Sequence, residues 1–287
     1  MQVKQYLVVL FILMKFHDYK GCGPSNGGAK VPSPPSYSLG EPTKVNLPKE
    51  LNDISGVAYY PKDTSVFAVV DNRGELFKIH LHTNVSIQKW HFDKKHDFED
   101  IVQYGNLFYL LLSNGNIEKL SFNGRSFETS TSIYPDTTGN SNQFEGMYYD
   151  NNLKKLIVVC KKCKGETTSE VPAWEYAVDS ADFRKSGFKI DVSTLTKKLG
   201  DVELKFKPSA IALNPITNEL YLLSSVNKLL VIADRNGKGK DVFRLDPKTY
   251  RDPEGITFTP TGDMIISNEA HGNDPANILV IKRKTQN

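Results

Sequence analysis

A chain of 287 residues with 39% hydrophobic and 10% aromatic side chains can bury a sizeable core, which excludes a disordered or collagen-like polymer. Its 36 basic and 33 acidic residues are interspersed and leave a formal charge of +3 with no Lys/Arg block, so the electrostatic footprint of a nucleic-acid binder is missing. The 20 glycines and 15 prolines imply a chain that turns often.

The N-terminal segment reads differently from the rest. Lys4 precedes an apolar run at 6–14, and a polar stretch then ends in Gly21-Cys22. The run is too short for a membrane-spanning helix, which needs about 20 apolar residues. It suits the hydrophobic part of an export signal, which needs roughly 7–15. Cys22 is followed by Gly23-Pro24-Ser25-Asn26-Gly27-Gly28, a flexible tether. The pattern is that of a bacterial lipoprotein, in which the cysteine is acylated after cleavage, although Tyr19 and Lys20 stand where small or aliphatic residues are usual. An ordinary secretory signal and a retained anchor are the alternatives. The expected organisation is a signal at 1–22, a linker at 23–35 and one domain at 36–287. That domain is expected as a monomer in the bacterial cell envelope, held to the membrane by its lipid and facing the periplasm or the cell surface.

Within the domain one pattern recurs: Ile54-Ser55-Gly56-Val57, Phe98-Glu99-Asp100-Ile101, Phe144-Glu145-Gly146-Met147, Pro208-Ser209-Ala210-Ile211 and Pro253-Glu254-Gly255-Ile256. The second positions, 55, 99, 145, 209 and 254, are separated by steps of 44, 46, 64 and 45 residues. In the first unit, strands at 57–60, 66–70, 76–81 and 85–90 are divided by Pro61-Lys62-Asp63 and by Asp71-Asn72-Arg73-Gly74. The second and fifth units repeat this with Ser113-Asn114-Gly115 and Pro260-Thr261-Gly262. Four short strands in about 45 residues are the arithmetic of a propeller blade. The spacing therefore predicts an all-β fold, a five-bladed β-propeller with four-stranded blades. After the fifth unit only 278–282 remains, enough for one strand, so the ring is predicted to close with a strand from 37–47. The long third unit adds extended stretches at 174–178 and 188–190 and a helical turn at 193–199, capped by Asp191. A sixth, diverged blade hidden there, or an open sandwich, is the alternative.

Blade geometry brings the loop before each first strand and the loop after each second strand to one mouth of the channel. The oxygen-bearing candidates are Glu99, Glu145 and Glu254 as metal ligands, with Ser55, Asp71, Ser209, Asn268 and Glu269 as further binding groups. Three glutamates around one channel repel unless protonated, paired or bridged by a cation. Calcium, which takes six to eight oxygen ligands, is the first choice. A carboxylate at this place can equally hydrogen-bond the amides of the next blade and serve only to join them. Lys161, Lys162 and Lys164 offer positive charge for the ring or for a small anionic ligand. Cys160 and Cys163 lack two further ligands for zinc, so a disulfide closing the turn is the economical reading, with free thiols as the alternative. No nucleophile elbow or phosphate loop is present, His271, near Glu269 and Asp274, is the one histidine worth testing, and Trp90 and Trp174 read as blade-packing residues.

The chain resembles the SdiA-regulated, YjiK-like family of bacterial envelope proteins across about residues 45–283. The resemblance lies in Leu51-Asn52-Asp53-Ile54-Ser55-Gly56-Val57-Ala58-Tyr59, Asp97-Phe98-Glu99-Asp100-Ile101, Phe144-Glu145-Gly146-Met147, Pro208-Ser209-Ala210-Ile211-Ala212 and Pro253-Glu254-Gly255-Ile256-Thr257-Phe258 with Ser267-Asn268-Glu269. It implies a β-propeller, calcium binding and a distant likeness to propeller phytases, with Glu99, Glu145 and Glu254 as the shared acids. Asp100 departs from the pattern where glycine is usual, as does the cysteine-containing loop. The function expected is a calcium- or ligand-binding propeller, with a phytase-like or esterase-like hydrolase and a partner-docking scaffold as alternatives.

Overall fold

The second strand of every repeat is an almost unbroken apolar run, as in SVFAVV, LFYLLL and LYLLS. A strand of that kind must be covered on both faces. The fourth strands, SIQKWH and FETSTS, are polar and exposed. Each sheet is thus apolar inside and polar at its outer edge, and only sheets stacked side by side around an axis meet both demands. The computed structural model describes residues 32–81, 85–93, 96–122, 126–135, 142–163, 167, 169–199 and 205–284. The segment bearing Cys22, the signal and most of the linker lie outside them, as do His82 and Lys164. Among the described residues no helix is long and apolar enough to cross a membrane.

Five four-stranded antiparallel sheets form the ring. Blade 1 is β2 (Ile54–Tyr60), β3 (Ser65–Val70), β4 (Arg73–His80) and β5 (Ser86–His91). Blade 2 is β6 (Phe98–Tyr104), β7 (Leu107–Leu112), β8 (Ile117–Phe122) and β9 (Phe127–Ser132). Blade 3 is β10 (Gln143–Asp150), β11 (Lys155–Lys162), β12 (Glu170–Ala177) and β13 (Asp182–Asp191). Blade 4 is β14 (Ala210–Leu213), β15 (Leu220–Ser224), β16 (Leu229–Ala233) and β17 (Gly239–Arg244). Blade 5 takes β18 (Pro253–Phe258), β19 (Met264–Asn268) and β20 (Asn277–Ile281) from the C-terminal end. Its fourth strand is β1 (Thr43–Asn46), paired antiparallel to β20 with Val45 opposite Ile278, so the ring closes with an N-terminal strand as predicted.

The innermost strands touch in a closed cycle, β2 to β6 to β10 to β14 to β18 and back to β2. Five apolar clusters fill the five gaps between blades. The long third unit hides no sixth blade. Its extra residues lengthen β12 and β13 and form α1 (Ser193–Lys198), whose Ser193 N–H donates to Asp191 Oδ1 at 2.8 Å. Leu195 of this helix packs into the cluster between blades 3 and 4. Tyr37, just before β1, anchors the closing segment: its hydroxyl donates to Gly262 O at 2.7 Å and accepts from Asn214 Nδ2 at 2.8 Å. Trp90 and Trp174 stack edge-on with Phe127 and with Tyr134 and Phe144 respectively, as packing residues should.

Candidate functional site

One backbone irregularity, repeated in three blades, creates the site. In blade 2 Phe98 pairs with Leu112 and Asp100 with Leu111, so Glu99 has no partner. Phe144 pairs with Cys160 and Gly146 with Val159, so Glu145 has none. Pro253 pairs with Asn268 and Gly255 with Ser267, so Glu254 has none. Each glutamate is the extra residue of a bulge, which breaks the alternation of faces and re-aims its side chain. Blade 1 shifts register over Ser55 and Gly56 in the same way. Blade 4 has a regular ladder beginning at Ala210, with no bulge.

The re-aimed groups meet in a cavity of about 230 Å³ at one mouth of the channel, lined by Ser55, Asp71, Asp97, Glu99, Glu145, Lys161, Glu254 and Glu269. Six of the eight predicted binding residues are therefore together. Ser209 and Asn268 do not line the cavity. Ser209, just before β14, points between blades, donating to Pro253 O at 2.6 Å and accepting from Ser225 N–H at 3.1 Å. Asn268 stays in its ladder and donates from Nδ2 to Asn277 Oδ1 at 3.0 Å. Asp97 is a member that the repeat did not single out; the signal available was a second recurring acid two residues before Ser55, Glu99 and Glu254, namely Asp53, Asp97 and Asp252.

Blades are also joined by residues other than the glutamates, and Glu254 itself is hydrogen-bonded to Ser225 of blade 4. Asp100, fully buried, accepts from Ile101 N–H at 2.8 Å and, across to blade 3, from Met147 N–H at 2.7 Å. Ser267 donates to Ser55 O at 2.7 Å. His271 lies outside the cavity, with Nδ1 2.6 Å from Asp252 Oδ2. The sulfurs of Cys160 and Cys163 are bonded to each other, with Cα atoms 6.0 Å apart.

Six carboxyl groups share the cavity with one ammonium, that of Lys161, whose Nζ lies 2.9 Å from Glu145 Oε1. Burial, then the nearby Glu145 and Asp97, push Glu99 up to about 10. Burial, then Glu145 and Glu269, push Glu254 up to about 8. Glu269 rises to about 7 through burial and the charges of Asp53 and Asp252, and Asp71 to about 6 through burial and its contact with Asp97. Burial also raises Glu145, against the pull of Lys161. Burial disfavours the charge on Lys161, but Glu145, Glu254 and Glu99 outweigh it and hold the proton on.

A pH dependence follows. A carboxyl whose pKa is higher folded than unfolded binds its proton more tightly in the fold, so its contribution is present at low pH and lost as pH rises towards the folded value. For Glu254 and Glu269 that interval runs from 4.5 to about 8 and about 7. With divalent ions chelated, the urea midpoint is expected to fall steadily from pH 5 to pH 9. A midpoint that stays level or climbs over this range would contradict the arrangement.

The oxygen-only donor set fits a hard cation such as calcium. Asp71 Oδ1, buried and without a hydrogen-bond partner, is a donor atom to spare. Among the described residues no three His, Cys, Asp or Glu side chains are already drawn into a metal-ligating cluster.

The amino-acid sequence from 41 to 273 matches the pattern of the SdiA-regulated family. The chain belongs to that family. The matched span runs from just before β1 into blade 5, so membership covers every glutamate of the mouth. No curated protein matches the chain. Solved structures of similar fold include a glutaminyl cyclase from Myxococcus xanthus, 12% identical over 86% of this chain and 98% of that one, with a TM-score of 0.56. A glucose dehydrogenase is 9% identical over 85% of this family member and 100% of its own chain, with a TM-score of 0.54. A luciferin-regenerating enzyme is 9% identical over 85% and 98%, with a TM-score of 0.53. At such identities these likenesses speak to the fold alone.

Proposed function

We propose that this SdiA-regulated propeller binds a divalent cation, calcium first, at its acidic mouth, and that it works from the cell envelope, exported and anchored to the membrane by a lipid on Cys22. One observation carries the cation reading: six carboxyl groups around about 230 Å³ are opposed by a single ammonium. Water-poor surroundings make that repulsion costly unless protons or a cation offset it. Glu99, Glu145 and Glu254 would hold the ion, with Asp71 and Glu269 within the same cavity. A bound calcium supplies positive charge that can polarise an oxygen of a ligand or of water. A small anionic ligand would reach the mouth through that charge, since Lys161 is already paired.

Calorimetry with calcium on the domain from residue 32 onward tests the reading. Heat and a defined stoichiometry are expected for the wild type and neither for Glu145→Gln with Glu254→Gln; a wild type that takes up no calcium at pH 8 removes the site. The anchor is tested separately, since Cys22→Ser should move the full chain from the detergent phase to the aqueous phase. Equal partitioning of both forms would refute it.

Two acids beyond the three repeated glutamates, Asp71 and Asp97, together with Glu269, also favour a second reading, a calcium-dependent phosphoester hydrolase. Phosphate released from an inositol phosphate, lost on chelation and with Glu99→Gln, would place it ahead of simple binding. Absence of release from protein that has bound calcium leaves the binding reading alone.

A further inference from the structure

The mouth holds a second irregularity, found in blade 3 alone. Where β10 and β11 pair, Gln143 faces Lys162 and Phe144 faces Cys160, so Lys161 on β11 is unpaired as well as Glu145 on β10. Two extra residues, one on each strand, face the same cavity and meet at 2.9 Å. The bonded cysteines stand immediately before and two residues after this lysine, so the disulfide clamps the piece of backbone that presents it.

Comparison with the other blades shows what the lysine replaces. In the ladders, Cys160 occupies the place of Val70, Leu112 and Asn268, each opposite the residue that precedes the bulge. The next residue in each is Asp71, Ser113 and Glu269, and their N–H groups all donate back to the entering loop, to Asp53, Asp97 and Asp252 carbonyls at 2.9, 2.9 and 3.0 Å. Lys161 is the blade 3 counterpart of these. Two of the blades put a carboxylate at this position and blade 3 puts an ammonium, the only cationic side chain lining the cavity among the described residues.

We infer that Lys161, presented by the Cys160–Cys163 loop, is a resident counter-ion that any incoming cation must displace, and that it makes the mouth selective for divalent over monovalent ions. The inference rests on the cation reading above. A sodium ion would exchange one positive charge for another and forfeit the hydrogen bond from Lys161 to Glu145. A calcium ion brings a second charge into the same carboxylate field and so wins the exchange. Glu99 and Glu254 sit on β6 and β18, Asp97 just before β6, and Asp71 and Glu269 in the loops after β3 and β19, all apart from the disulfide, so freeing the lysine leaves these ligands in place; Glu145 alone lies beside it, on the strand whose Phe144 pairs with Cys160.

Calcium titrations monitored by calorimetry and by thermal shift test this on the domain from residue 32 onward, at constant ionic strength with sodium replaced stepwise by choline. Coupling between two groups at one site is typically about 5- to 150-fold in affinity. Lys161→Gln is therefore expected to bind calcium at least about fivefold more tightly than wild type and to become sensitive to sodium, while wild type is not. Replacing both Cys160 and Cys163 by alanine should give a smaller rise. Adding that change to Lys161→Gln should give no further rise, because the disulfide acts only through the lysine. If Lys161→Gln folds only with calcium present while Lys161→Arg folds without it, the counter-ion role is upheld in its strongest form. Equal calcium affinity in wild type and Lys161→Gln, or equal indifference to sodium, overturns the inference and leaves the cation reading standing. Absence of calcium binding in every form defeats both.

Discussion

With divalent ions chelated at pH 8, Glu254→Gln is expected to melt above the wild type, and calcium to raise the wild type while moving the variant little. Glu254 is carried from 4.5 to about 8 by burial and by Glu145 and Glu269. At about 1.4 kcal/mol per pKa unit, ionising it in the fold costs on the order of 5 kcal/mol. Glutamine keeps the shape and removes the charge, but its amide still has to be buried, so a net gain of about 1–3 kcal/mol is expected, a rise of several degrees. Calcium at 100 times its dissociation constant stabilises the wild type by about 2.7 kcal/mol, and loss of a ligand removes most of that. The two readings of the glutamates predict opposite signs. A residue that joins blades destabilises the protein when neutralised, with or without the ion. Differential scanning fluorimetry with and without calcium decides between them, and a lower melting temperature for calcium-free Glu254→Gln would return the glutamate to a structural role.

Gly56→Ala is expected to destabilise the propeller by about 3 kcal/mol or more, among the larger effects of adding one carbon. The new Cβ would lie 2.5 Å from the Cα of Asp100 and 2.8 Å from the N of Ile101, both backbone atoms of the neighbouring blade. Neither can turn aside as a side chain can. Here β2 packs directly on the backbone of β6, and Gly255 is as tightly placed, with Ser55 O 2.6 Å from its virtual Cβ. Forcing these strands apart also loosens the bulges just above, so the calcium affinity should fall along with the urea midpoint. Gly105→Ala makes the control. It has φ +62 in the β6–β7 turn and nothing within 4 Å of a Cβ, so its cost is confined to backbone strain of about 1–2 kcal/mol. Equal urea midpoints for the two variants would mean that β2 and β6 are not close-packed at Gly56.

The departure of Asp100 from glycine also has a structural sense here. Its carboxyl fills the space that Gly56 leaves and ties β6 to β10 through Met147 N–H. Gly56, Asp100 and Met147 thus form a single packing unit spanning three blades. Burial holds the Asp100 carboxyl well above the ordinary carboxylate range, with the two amide donors working against that rise.

Much of the architecture was legible from residue order. Apolar runs such as LFYLLL can only be strands covered on both faces, turn residues divide them at short intervals, and a period near 45 residues sets four strands to a blade. The count of one strand left over at 278–282 was enough to require a partner from before the first blade, because an unpaired edge leaves hydrogen bonds unmade. Residue order also marked Glu99, Glu145 and Glu254 as equivalent positions. It could not say where they point. In a regular strand the direction of a side chain follows from counting by twos, but at a bulge it depends on which residue of the partner strand is skipped, and that is settled only when two strands pair. Ser209, equivalent in sequence but lying just before the ladder that begins at Ala210, turns between blades, while Asp97 and Lys161 turn into the mouth. The blades were written into the chain, and the charge balance of the cavity emerged from their pairing.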